Sequence, residues 1–122
     1  MTRILVIDDD ELACFTLRDI LEQENYEVTV AKDGVEGIAL FTSEPFPLVI
    51  TDLLMPEKEG IETIIELKKD FPDTKIIAIT GGGSLNITNL LSLARQLGAD
   101  HVIAKPFGID EILDCVNECL TS

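Results

Sequence analysis

The 122-residue chain predicts an α/β fold: a doubly wound, five-stranded parallel sheet with five helices on its two faces. Three observations carry this. Short β-branched runs alternate with helical stretches along the whole chain. Most of these runs are apolar throughout rather than at every second position, as in strands buried on both faces. Four of them also end on polar residues: Ile4-Leu5-Val6-Ile7 on Asp8-Asp9, Leu48-Val49-Ile50-Thr51 on Asp52, Ile76-Ile77-Ala78-Ile79 on Thr80, and His101-Val102-Ile103-Ala104 on Lys105-Pro106. In open α/β sheets the site lies outside the carboxyl ends of the strands. Three carboxylates, a hydroxyl and an ammonium should therefore meet at one edge.

Residues 3–7 read as the first strand. A helix from about Glu11 to Glu24 follows, with Leu12, Phe15, Ile20 and Leu21 at helical spacing as its apolar stripe. Tyr26 to Ala31 alternates and predicts a second, less buried strand. Asp33-Gly34 opens a helix carrying Ile38, Leu40 and Phe41, which Pro45 and Pro47 terminate. The third strand covers 48–51, Pro56 and Gly60 bracket a loop, and a helix runs from about Ile61 to Lys69. Phe71-Pro72-Asp73 turns into a fourth strand at 75–79. Gly81-Gly82-Gly83 leads to a helix from about Asn86 to Leu97, ended by Gly98. The fifth strand is 101–104 and the last helix runs from about Asp110 to Leu120. No internal repeat or linker divides residues 1–122, which predicts one domain with no output module of its own.

Composition narrows the function classes. The chain has 23 acidic against 9 basic residues, a formal charge of −14. Nucleic acid and anionic membranes both require a positive footprint, so direct binding to either is disfavoured. A divalent cation or a basic protein surface suits this charge better. Met-Thr-Arg runs straight into the first strand without a signal peptide, and no apolar run approaches the ~20 residues of a membrane span. Three cysteines without paired spacing fit a reducing, cytoplasmic setting. Cys115 and Cys119 share a helix face and read as core packing, not as a zinc site.

The loop after the first strand, Asp8-Asp9-Asp10-Glu11, would repel a phosphate but suits a hard cation such as Mg²⁺. Asp10 and Glu11 read as caps of the following helix, leaving Asp8 and Asp9 for the metal. Asp52, at the mouth of a buried strand and facing that metal, can act as an oxygen nucleophile toward phosphorus. Lys105 supplies a point charge for a phosphoryl oxygen and Thr80 a hydroxyl for another. His101, the one histidine, reads as a surface or strand-edge residue.

Over essentially its whole length the chain resembles the receiver domain of two-component response regulators. The resemblance rests on Ile4-Leu5-Val6-Ile7-Asp8-Asp9-Asp10, Asp52-Leu53-Leu54-Met55-Pro56 with Gly60, Thr80-Gly81, Gly98-Ala99-Asp100 and Lys105-Pro106-Phe107. It implies a flavodoxin-like sheet of strand order 2-1-3-4-5. It also implies that Asp52 accepts a phosphoryl group from a phosphohistidine on a sensor histidine kinase or histidine phosphotransfer protein. Asp8, Asp9, Asp52 and the backbone carbonyl of Leu54 would hold Mg²⁺, while Thr80 and Lys105 would contact the phosphoryl oxygens. A cis peptide before Pro106 is implied as well, helping to aim the lysine inward. A downstream protein or fused output domain would read the state. Such a domain phosphorylates and dephosphorylates itself and is not an enzyme in the turnover sense.

The chain departs from the family pattern at Val102, where receivers often carry an aromatic residue whose rotamer reports activation. A valine is stiff and has no ring to swing, so activation is expected to move the backbone of Gly81-Gly82-Gly83 instead. Leu54 should obstruct a hydrolytic water and Gly82 should admit one, so they set no phosphoryl lifetime between them. Asn86, Asn89, Ser92 and Arg95 on the fourth helix are mostly uncharged, favouring a monomer, or a weak dimer, with partner binding through that face. An enzymatic alternative is a haloacid-dehalogenase-like Mg²⁺ phosphohydrolase built on Asp8-Asp9-Asp10. It leaves Asp52 without a role and lacks an acidic pair after the fifth strand. A flavin-binding module is opposed by the acidic first loop.

Overall fold

The computed structural model describes residues 2–53, 60–81 and 87–121, without the side chains of residues 87, 88, 90 and 91. The elements run β1 (Arg3–Ile7), α1 (Glu11–Gln23), β2 (Glu27–Ala31), α2 (Gly34–Ser43), β3 (Leu48–Asp52), α3 (Gly60–Asp70), β4 (Lys75–Thr80), α4 (Ile87–Leu97), β5 (His101–Ala104) and α5 (Ile109–Thr121). Among the described residues the strands form one five-stranded sheet in the order β2-β1-β3-β4-β5. Every pairing is parallel. This is the expected doubly wound architecture, with element ends within a residue or two of those predicted.

The period-2 alternation of the strands divides the core into two layers. Ile4, Val6, Ile50, Ile77 and Ile79 pack with Cys14, Leu17 and Leu21 of α1 and with Ile112 and Val116 of α5. Leu5, Ile7, Val49, Ile76 and Ala78 pack on the other face with Phe41, Ile64, Leu67 and Ala94. Because both faces are covered, β1, β3 and β4 are almost wholly buried, which is why their sequences lack alternation.

One helix face differs from its expectation. Leu12 and Phe15 are 72% and 69% exposed, and the inward face of α1 consists of Ala13, Cys14, Leu17, Ile20 and Leu21. At about 100° per residue, positions 12 and 15 lie roughly opposite the centre of that stripe. Apolar residues occur on both sides of α1, so spacing alone picks the wrong pair. Other signals fall where they were expected. Asp10 caps α1 by accepting from the Leu12 amide at 3.0 Å, and Asp33 caps α2 through the Glu36 amide at 2.8 Å. Gly98 ends α4 at φ 125°, in the region that favours glycine. Cys119 is in the core and Cys115 packs half-buried against it. His101 is half-buried at the start of edge strand β5, its Nε2 3.1 Å from the Glu118 carboxylate.

Candidate functional site

The strand order itself assembles the site. Ile7 is in register with Thr51, Asp52 with Ile79, and Thr80 with Ala104. The residue after β1, the last residues of β3 and β4, and the residue after β5 therefore stand side by side along one edge. These are Asp8, Asp52, Thr80 and Lys105.

Asp8, Asp9 and Asp52 each place a carboxylate oxygen within 4.8 Å of the others. Asp8 and Asp52 are only 1% and 5% exposed, whereas Asp9 faces solvent. Burying two like charges this close is costly unless cations and donors answer them. Lys105 answers part of it: its Nζ is 2.8 Å from Asp8 Oδ2 and 3.7 Å from Asp52 Oδ2. Backbone amides answer another part. The Asp10 amide donates to Asp8 Oδ1 at 2.9 Å, and the Leu53 amide donates to Asp52 Oδ1 at 2.9 Å. Burial by itself would lower the pKa of the Lys105 ammonium. The hydrogen bond to Asp8 and the charges of Asp52, Asp8 and Asp10 outweigh burial and hold it above the ordinary lysine value.

Thr80 is fully buried and its hydroxyl has no hydrogen-bond partner among the described residues. Its carbonyl accepts from the Lys105 amide at 2.7 Å, which ties the β5 end to β4. The Lys105–Pro106 peptide is cis. Behind Asp52, a Cβ on Gly60 would run into the Asp52 carbonyl and the Leu53 Cα. Only a glycine lets the first turn of α3 approach the acidic strand end this closely. Asp8, Asp9, Asp52, Thr80 and Lys105 thus come together as predicted, while Leu54, with its carbonyl, and Gly82 lie outside the described residues.

One neighbour of the site escaped the sequence reading. The buried Cys14 thiol donates to the Asp8 carbonyl at 3.2 Å. Burial, then the Asp8 and Asp10 carboxylates, push this thiol up to about 11. Its sequence signal is faint: a small residue on the inward stripe of α1, one turn after the acidic loop.

Comparison with known proteins decides the family. The family model for the response regulator receiver domain matches residues 4–117. The chain belongs to that family. The match also decides against the phosphohydrolase alternative. Among curated relatives, the transcriptional regulatory protein CpxR of Klebsiella pneumoniae is 36% identical over 93% of this chain and 47% of its own length. The chemotaxis protein CheY of Halobacterium salinarum is 32% identical over 98% of both chains. A solved CheY-like receiver domain from Methanospirillum hungatei is 35% identical with a TM-score of 0.89, covering 98% of this receiver and 94% of that chain. This receiver spans about half the length of CpxR and nearly all of CheY. No helix among its described residues is long and apolar enough to cross a membrane.

Proposed function

We propose that this receiver accepts a phosphoryl group on Asp52 from a phosphohistidine donor, a sensor kinase or a phosphotransfer protein, with Mg²⁺ held by Asp8, Asp9 and Asp52. The observation that carries this is three carboxylates gathered at one sheet edge, two of them within reach of Lys105, together with a buried Thr80 hydroxyl at the same edge that has no partner among the described residues. Three negative charges face one ammonium, so the cluster fits a hard divalent cation with oxygen ligands. The Leu54 carbonyl is proposed as a further ligand. When bound, the cation screens the repulsion between Asp52 and the incoming phosphoryl group.

An Asp52 oxygen attacks phosphorus, the new O–P bond forms as the donor's N–P bond breaks, and the electron pair leaves with the imidazole nitrogen. Lys105, already within reach of Asp52, turns its ammonium to a phosphoryl oxygen. Thr80 donates its hydroxyl to another, which satisfies a buried group that has no partner among the described residues. Val102 is half-buried and packed against the helix-covered layer. The response is therefore assigned to the backbone after Thr80, where a Cβ on Gly81 would meet nothing within 4 Å, and from there to the α4-β5-α5 face. Asn89, Ser92 and Arg95 are exposed on α4, a surface suited to a protein partner or an output domain more than to a dimer held by ion pairs.

Incubation with radiolabelled acetyl phosphate tests the chemistry. Label should enter the wild type only when Mg²⁺ is present and should be abolished by Asp52→Asn. Equal labelling in a chelator would remove the metal from the account. Structures with and without a phosphoryl mimic test the switch: an unmoved 81–83 loop would contradict it.

A further inference from the structure

Each polar atom of Asp8 has a partner, and these constraints can be followed atom by atom. Its amide donates to the Ala31 carbonyl at 3.0 Å. One carboxylate oxygen accepts from the Asp10 amide and the other from Lys105. Its carbonyl is left for the Cys14 thiol, and among the described residues no other donor to that carbonyl is found. Cys14 also donates its own amide to the Asp10 carbonyl at 3.0 Å, closing the first turn of α1. A single residue therefore holds the Asp8–Asp10 turn at both ends, from below, through two hydrogen bonds of different origin.

The amide bond is available to any residue at position 14. The thiol bond is not, since alanine or an aliphatic side chain has no donor. Without it, a buried carbonyl beside two carboxylates would be unsatisfied, and the turn would relax by rotating the Asp8–Asp9 peptide. That rotation would swing the Asp9 carboxylate, which is exposed and has no hydrogen-bond partner among the described residues, away from Asp8 and Asp52.

We propose that Cys14 is a positioning residue for the metal: its thiol hydrogen bond to the Asp8 carbonyl holds the Asp8–Asp9 turn in the form that aims both carboxylates at Asp52. This rests on the Mg²⁺ assignment made above. Hydrogen bonds that orient a metal-ligating side chain usually change metal affinity by about tenfold or more, and Cys14 orients Asp8 and Asp9 through their shared peptide.

Calorimetric titration of MgCl₂ into the metal-free domain provides the test. Cys14→Ala should bind Mg²⁺ about tenfold more weakly than wild type. Cys14→Ser keeps a donor and should stay within about threefold. Labelling by acetyl phosphate should need correspondingly more Mg²⁺ with Cys14→Ala but reach the wild-type rate at saturation, a split that a merely loosened core would not produce. If Cys14→Ala does not fold, Cys14→Val fills the space without a donor and takes its place. Equal affinity in the wild type and the donor-free variant would overturn the inference, as would equal losses in Cys14→Ser and Cys14→Ala, which would point to side-chain volume. Absence of Mg²⁺ binding by the wild type would instead overturn the metal assignment itself.

Discussion

At Lys105, burial and three carboxylates pull in opposite directions, and the carboxylates prevail. A group whose folded pKa is raised stabilises the fold fully below its ordinary value, and that contribution is lost as pH rises through the folded value. The Lys105–Asp8 pair should therefore be constant from neutral pH to about pH 9, with its loss confined to more alkaline solution. Lys105→Met leaves the buried Asp8 charge without its closest cation. In a chelator, urea unfolding should show a loss of about 1–3 kcal/mol, partly recovered on adding Mg²⁺ as the metal takes over the carboxylates. The thiols have the opposite chemistry but the same direction. Burial comes first among the causes that push Cys14 and Cys119 up from 9.0 to about 11. Above pH 9 the unfolded chain can ionise these groups while the folded one cannot, so stability should fall between pH 9 and 11, by on the order of 2 kcal/mol per thiol. Urea midpoints across that range, compared with Cys119→Ala, check it; a flat profile would contradict it.

Helix α1 shows where periodicity stops being informative. Leu12 and Phe15 satisfy a helical spacing as well as Leu17 and Leu21 do, and nothing within the helix says which stripe meets the sheet. In the fold, the Asp10 cap and the short turn after β1 go with a rotation that turns Leu17 and Leu21 to the sheet. Leu17→Ala should therefore cost about 2–5 kcal/mol, whereas Phe15→Ser should stay within about 0.5 kcal/mol, both read from chemical denaturation. The reverse ranking would place the core on the wrong side of α1. The strands were more legible because burial on both faces leaves little freedom in composition. The residues that follow them were legible for a related reason. One polar group at the mouth of a buried strand means little, since a strand-end Thr or a Lys before Pro is usually structural, but four such mouths coincided at Asp8, Asp52, Thr80 and Lys105. Cys14 was not legible, since a thiol on an inward stripe looks like packing until its distance to the Asp8 carbonyl is known.

For the molecule as a whole, topology explains why so small a domain can hold a site. Parallel strands in the order β2-β1-β3-β4-β5 bring residues from 8 to 105 onto one edge. The two core layers lie beneath that edge, and Asp8 and Asp52 are buried in it. The cost is concentrated negative charge, set within a chain whose net charge is −14. The same charge favours a donor surface with basic character over nucleic acid. This receiver matches nearly the whole of CheY and about half the length of CpxR. The proposed phosphoacceptor is one group, the Asp52 carboxylate. Phosphorylation by acetyl phosphate with Mg²⁺, reduction of the acyl phosphate with borohydride and peptide mapping locates it directly. Homoserine at position 52 is the predicted product; reduction at Asp8 or Asp9, or a stable phosphate on His101, would contradict the account.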